Sequence, residues 1–118
     1  MEPIAPIPLQ AIEAPRGRIA GAAIRTPLLP LEAPDAPCEL WLKLECLQPI
    51  GSFKIRGATN AMLLADVGEL ARGVYTGSAG NMAQGVAFSA RRLGIEARVI
   101  VPDTAPSTSF EAIVRLGG

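Results

Sequence analysis

The segment Gly51-Ser52-Phe53-Lys54-Ile55-Arg56-Gly57 holds the residue best suited to covalent chemistry. Lys54 is one of only two lysines; the other nine basic residues are arginines. An amine set among apolar groups, near the positive end of a helix, is pushed towards its neutral form. Neutral lysine is a nucleophile that condenses with aldehydes. The alternative is a first-turn helix lysine facing water. The second lysine, Lys43, lies in Leu40-Trp41-Leu42-Lys43-Leu44-Glu45. That stretch alternates like a strand and puts Lys43 beside Glu45 as an ordinary solvated charge.

A second group of residues could bind rather than react. Thr76-Gly77-Ser78-Ala79-Gly80-Asn81-Met82-Ala83-Gln84-Gly85 joins a predicted strand to a predicted helix. Its small residues let backbone N–H groups approach a ligand. The helix start adds unpaired donors and a dipole that favours an anion. Asn81 can both donate and accept. A carboxylate, or the phenolate oxygen of a cofactor, suits this place; the alternative is a glycine turn with Asn81 as helix cap. Counted from Gly77, the dinucleotide fingerprint fails, with Ala79 and Met82 where glycines belong. No Gly-Lys-Ser/Thr occurs, so a phosphate-binding lysine loop is absent as well.

The chain has no histidine, which removes Ser-His-Asp and Cys-His catalysis and most zinc sites. Cys38 and Cys46 flank the first predicted strand, eight residues apart. A straight strand separates them by about 26 Å, well beyond the ~7 Å a disulfide spans. Both are expected to be reduced thiols, with Cys46 a buried, inert one.

These residues need elements to hold them. Residues 1–8 form a proline-rich lead-in. A helix is predicted over 9–22, weakened by Pro15 and Gly17. Pro27 biases Thr26 towards an extended stretch. A turn at 33–37, a strand over 39–45 and a loop at 47–51 follow. A helix is predicted over 52–64, with Ser52 as N-cap and Ile55, Ala58, Ala61, Met62 and Ala65 as its apolar stripe. A strand at 73–76 leads to a helix over 80–93, with Ala83, Val86, Ala87 and Ala90 on one face and Gly94 past its end. A strand at 97–101 and a helix at 107–116 complete the pattern. Strand–helix–strand–helix from residue 73 predicts an α/β fold with a parallel sheet. The stretch at 65–72 is the expected domain boundary, giving units 1–70 and 71–118. The chain is expected to be the first part of a longer protein.

Composition sets outer limits. The 118 residues carry eleven charges of each sign, so no basic field points to nucleic acid or to a membrane surface. Apolar residues make up 49%, enough for a core, but aromatics are few, so that core must be aliphatic. No run approaches the ~20 apolar residues of a membrane span. The first ten residues hold three prolines and no basic residue, unlike a signal or transit peptide, which predicts a cytoplasmic protein.

In order and spacing, several segments match a known pattern. They are Arg25-Thr26-Pro27-Leu28, Leu42-Lys43-Leu44-Glu45, Gln48-Pro49 and Gly51-Ser52-Phe53-Lys54-Ile55-Arg56-Gly57-Ala58. They continue through Ser78-Ala79-Gly80-Asn81, Ala83-Gln84-Gly85, Val101-Pro102 and Thr104-Ala105-Pro106. From about residue 25 onward the chain resembles the fold-type II, or tryptophan-synthase-β-like, pyridoxal-phosphate enzymes. Within that group it is most similar to the threonine/serine dehydratases and their serine racemase relatives.

The resemblance implies pyridoxal 5'-phosphate as cofactor, with Lys54 forming the internal Schiff base and later removing the α-proton. It implies that Phe53 packs beside the cofactor and that Asn81 hydrogen-bonds its ring hydroxyl. Ser78, Ala79, Gly80, Asn81 and Met82 would hold the substrate carboxylate. Residues 1–70 would start a large cofactor domain and residues 71–118 a small mobile one. The implied activity is a lyase that dehydrates and deaminates L-threonine or L-serine to a 2-oxo acid and ammonia. A small amino acid would be the partner, in a homo-oligomer when full length. Same-cofactor β-replacement or racemisation, or a non-catalytic truncated module, are the alternatives.

Four positions depart from the family pattern. Ala79 replaces the serine that serves the opposite face in the racemase relatives, which favours dehydration. Met82 stands for a frequent histidine, Ser109 for a common lysine and Ile50 for a frequent threonine. The cofactor's phosphate loop and the group that meets its pyridine nitrogen would lie beyond residue 118. The chain alone is therefore expected to be inactive.

Overall fold

The computed structural model describes residues 5–118. Of the proline-rich lead-in, residues 1–4 lie outside the described residues, and residues 5–8 carry no regular structure.

The predicted first helix is two short ones, α1 (Leu9–Glu13) and α2 (Pro15–Arg18). Proline lacks the N–H that would continue α1 and is tolerated in the first turn of a helix, so it ends one and opens the next. Strands β1 (Leu28–Leu31) and β2 (Leu40–Lys43) pair antiparallel, with Leu28 opposite Lys43 and Leu31 opposite Leu40. The second strand is shorter than predicted, because Glu45 already belongs to a 3-10 turn (Glu45–Leu47). Cys38 and Cys46 are both free and both exposed, so the expectation that Cys46 is buried is wrong. The turn carries its side chain outside the core.

Helix α3 (Lys54–Leu64) starts two residues later than predicted. Its buried side chains are Ile55, Ala58, Thr59 and Met62, while Ala61 and Ala65 stay exposed. The 65–72 stretch, expected to be only a boundary, contains the short helix α4 (Val67–Leu70). The Asp66 side chain caps it, accepting from the N–H groups of Gly68 at 2.8 Å and Glu69 at 3.2 Å.

From residue 74 the predicted order holds. Strand β3 (Val74–Gly77), helix α5 (Asn81–Leu93), strand β4 (Ala97–Ile100) and helix α6 (Ser107–Leu116) follow one another. β3 and β4 pair in parallel, Val74 opposite Ala97 and Gly77 opposite Ile100. The fold is α/β with a parallel sheet, as read from the sequence; the β1–β2 ribbon is an antiparallel addition to it. Gly94 closes α5 in the left-handed region at φ 69°, where residues other than glycine are strained.

The core lies where α3, α5 and α6 meet. Ile55, Ala83 and Ala87 are fully buried, and Ile113 of α6 closes the far side. The small face of α5 lets α3 come close. A Cβ built on Gly85 would sit 3.2 Å from the carbonyl oxygen of Lys54 and 3.4 Å from Cβ of Ala58. The hydroxyls of Thr59 and Ser89 hydrogen-bond across the same contact at 2.8 Å, both buried. Among the described residues, no helix is long and apolar enough to cross a membrane.

Candidate active site

Lys54 is the first residue of α3, so the loop before it decides where its amine points. The Gly51 N–H donates to the Gln48 carbonyl at 2.7 Å, and Gly51 takes φ 67°, which a side chain would strain. Ser52 is buried and its hydroxyl accepts from the Lys54 N–H at 3.3 Å. The helix cap is nevertheless Phe53, one residue later than predicted.

The Lys54 Nζ lies 4.9 Å from the centroid of the Phe53 ring. Ile55 on the other side is fully buried, but Phe53 is 57% exposed. The apolar enclosure expected from the Phe53-Lys54-Ile55 run is therefore half open. Its outer wall is the Phe53 ring, and the amine sits over that ring's face.

The second loop is tied to the sheet. The Ser78 N–H donates to the Ile100 carbonyl at 3.0 Å, and the Ser78 hydroxyl accepts from the Gly80 N–H at 3.2 Å. Gly80, not Asn81, is the residue before α5, and it makes no side-chain cap. The N–H groups of Asn81, Met82 and Ala83 have no chain partner among the described residues. Nor does the Asn81 side chain make a hydrogen bond among them; it stays exposed at the helix start. This is the donor set the sequence suggested, carried by a helix of thirteen residues.

The two signals meet through Gly85. That residue lies four positions after Asn81, about 6 Å along the helix axis. Its contact with the Lys54 carbonyl sets the start of α3 against the start of α5. Lys54 thus opens one of two helices that pack against each other, and residues 78–82 lead into the other. A cleft of about 870 Å³ lies elsewhere, lined by Arg16, Ile19, Arg25, Arg56 and Asn60 among others. It contains none of the candidate site residues.

One group escaped the sequence reading. Glu45 accepts from Arg56 through both oxygens, Nη2 to Oε1 at 2.8 Å and Nε to Oε2 at 2.9 Å. It also accepts from the Thr26 hydroxyl at 2.5 Å and from Gln48 Nε2 at 3.2 Å. The Arg56 hydrogen bonds, opposed in part by burial, hold the Glu45 carboxyl well below the usual range, from 4.5 to about 2. Lys43, expected to be merely solvated, sits 3.9 Å from Glu45 and donates to the Thr26 carbonyl. Arg56 and Gln48 both also donate to the Ile24 carbonyl, at 2.9 and 2.8 Å. No periodic rule links positions 45 and 56, so only their charges could have hinted at the pair.

The chemistry of the two loops fits an aldehyde cofactor with an acidic substrate. Lys54 offers an amine, Asn81 an unengaged amide, and the first turn of α5 free N–H groups at the exposed residues Asn81 and Met82. Comparison with known proteins points the same way. Residues 19–118 match the family model described as "Pyridoxal-phosphate dependent enzyme". The biosynthetic L-threonine dehydratase of Burkholderia multivorans is 46% identical over 103 residues, covering 86% of this chain and 20% of the relative. The processed threonine deaminase isoform 2 of Solanum lycopersicum superposes with a TM-score of 0.77 at 39% identity, over 85% of this chain and 28% of that one. The serine racemase of Dictyostelium discoideum superposes with a TM-score of 0.84 at 38% identity, over 93% of this chain and 37% of that one. This chain spans about an eighth to two fifths of the length of the relatives it matches. It belongs to the family of pyridoxal-phosphate dependent enzymes.

Proposed function

We propose that the protein carrying this chain is a pyridoxal-phosphate-dependent ammonia-lyase acting on L-threonine or L-serine. What supports this most is the close packing at Gly85, where the helix that begins with Lys54 lies against the helix that follows the donor loop. When bound, pyridoxal phosphate supplies an electron sink for the substrate α-carbon. Lys54 is the attachment point, with Phe53 beside it and the Asn81 amide on the ring hydroxyl. The Lys54 Nζ, when not bound to the cofactor, would take the substrate α-proton as general base. The loop of Ser78, Ala79, Gly80, Asn81 and Met82 orients the substrate carboxylate through its N–H groups, which cost no reorganisation. With the β-hydroxyl leaving as water and a second water adding at the α-carbon, the products would be a 2-oxo acid and ammonia.

A second reading is racemisation, supported by the likeness to a serine racemase. Ala79 weighs against it, because a methyl group cannot carry a proton to the opposite face. The division into 1–70 and 71–118 belongs to the same proposal, with the smaller part closing over substrate. Its test is whether substrate slows proteolysis at 65–72, where Val67 is exposed. A cytoplasmic location and a homo-oligomer complete the reading.

The full-length protein is expected to develop a visible absorbance band with pyridoxal phosphate and to release 2-oxo acid from threonine or serine. Lys54→Ala should abolish the band and lower turnover by at least about 1,000-fold, as loss of a proton-transfer group and the attachment point together predicts. A band and product that survive Lys54→Ala would falsify the assignment. Chiral analysis of recovered serine separates the lyase from the racemase.

A further inference from the structure

Lys54 opens α3 just after a loop, and one carboxylate ties the start of that loop to the first turn of the helix. Glu45 stands before the loop and Arg56 after it, eleven positions apart, and their fork closes the segment between them. The carboxylate is well sheltered, at 16% side-chain exposure, and Arg56 is at 33%. Both Glu45 oxygens are engaged, so the guanidinium cannot swing without losing two charge-assisted bonds. The loop is pinned from the other side too. The Glu45 carbonyl accepts from the Gln48 N–H at 3.2 Å, and the Gln48 carbonyl accepts from the Gly51 N–H at 2.7 Å. That chain of bonds runs on to Ser52, whose hydroxyl meets the Lys54 N–H.

We propose that Glu45 is a positioning residue for Lys54, fixing the direction of the amine by clamping Arg56 and the turn through Gln48 and Gly51. The proposal rests on the reading of Lys54 as the reactive amine. Glu45 touches no substrate; it acts through the backbone on both sides of the lysine. The charged groups facing it are Arg56 and, more weakly, Lys43 at 3.9 Å. Closing the loop removes alternative directions for the amine before any aldehyde arrives, which is where a positioning residue gains rate.

The test is the rate at which pyridoxal phosphate with cyanoborohydride labels Lys54 in the cofactor-free, full-length protein, read by peptide mass and normalised to folded protein by circular dichroism. Glu45→Gln and Arg56→Met are each expected to slow labelling about tenfold. The double variant should be no slower than either single one, because both remove the same clamp. Arg56→Lys keeps the charge without the planar fork and should recover only part of the rate. If Glu45→Gln does not fold, Thr26→Val removes a single donor to Glu45 and should slow labelling about threefold. Labelling at Lys54 that is equally fast in every variant, or losses that add in the double variant, overturn the proposal alone. Labelling at Lys43 instead of Lys54 in the parent protein overturns the reading of Lys54, and the proposal with it.

Discussion

Glu45 ties the chemistry of single residues to acidity. Its carboxyl titrates at about 2 when folded and at 4.5 when not, held down first by the hydrogen bonds from Arg56. A depressed carboxyl contributes stability that is complete above the unfolded value and lost as pH falls through the folded one. The loss therefore runs between about pH 4.5 and pH 2. Arg56 is one-third exposed, so solvent screening keeps this contribution to about 1–2 kcal/mol. Urea titrations at pH 6 and pH 3 should show wild-type stability falling by a little over half that amount, with a smaller fall in Glu45→Gln. An equal fall in both would assign the acid sensitivity to other carboxylates. At this scale the sequence was legible where chemistry is local: Lys54 beside Phe53, and the small residues before Asn81. Glu45–Arg56 was not legible, because the pair exists only once the 3-10 turn folds against α3.

Helices carried most of what could be read, and their contacts most of what could not. α6 has the predicted bounds, and α5 starts one residue late, because each shows an apolar face and a glycine stop. The first predicted helix broke at Pro15, where the missing N–H outweighed the apolar spacing. The close approach of α3 and α5 makes two predictions. Gly85→Ala forces a Cβ to 3.2 Å from a backbone oxygen that cannot rotate away. It should cost about 1–3 kcal/mol in thermal or urea unfolding, as overpacking does. The buried Thr59–Ser89 hydrogen bond behaves differently. Ser89→Ala alone leaves the Thr59 hydroxyl without its partner and should cost about 1–3 kcal/mol, while adding Thr59→Val should recover much of it. A double variant as unstable as the sum would mean that the pair is not acting as one unit.

At the level of the whole molecule, apolar surface is unevenly spent. Leu28, Leu29, Leu31, Leu40, Trp41 and Leu42 of the β1–β2 ribbon are all exposed, and so is Phe53 beside the lysine. The sequence reading foresaw a core and its aliphatic character but not this ribbon, because alternation along a strand does not say what lies against it. These 118 residues, expressed alone, should take up pyridoxal phosphate at least about tenfold more weakly than the full-length protein, measured by the absorbance band. Equal affinity would mean that the cofactor's anchors all lie within them.

The contact between Gly85 and the Lys54 carbonyl has a consequence for how this site tolerates drift. Side-chain contacts adjust through rotamers, so a substitution in them is absorbed over several bonds. Here a Cβ added at position 85 would press on the Lys54 carbonyl and the Ala58 methyl, so α3 and α5 leave little room for one. Any side chain at position 85 therefore bears directly on the lysine's own backbone. The site's precision is stored in one missing methyl group.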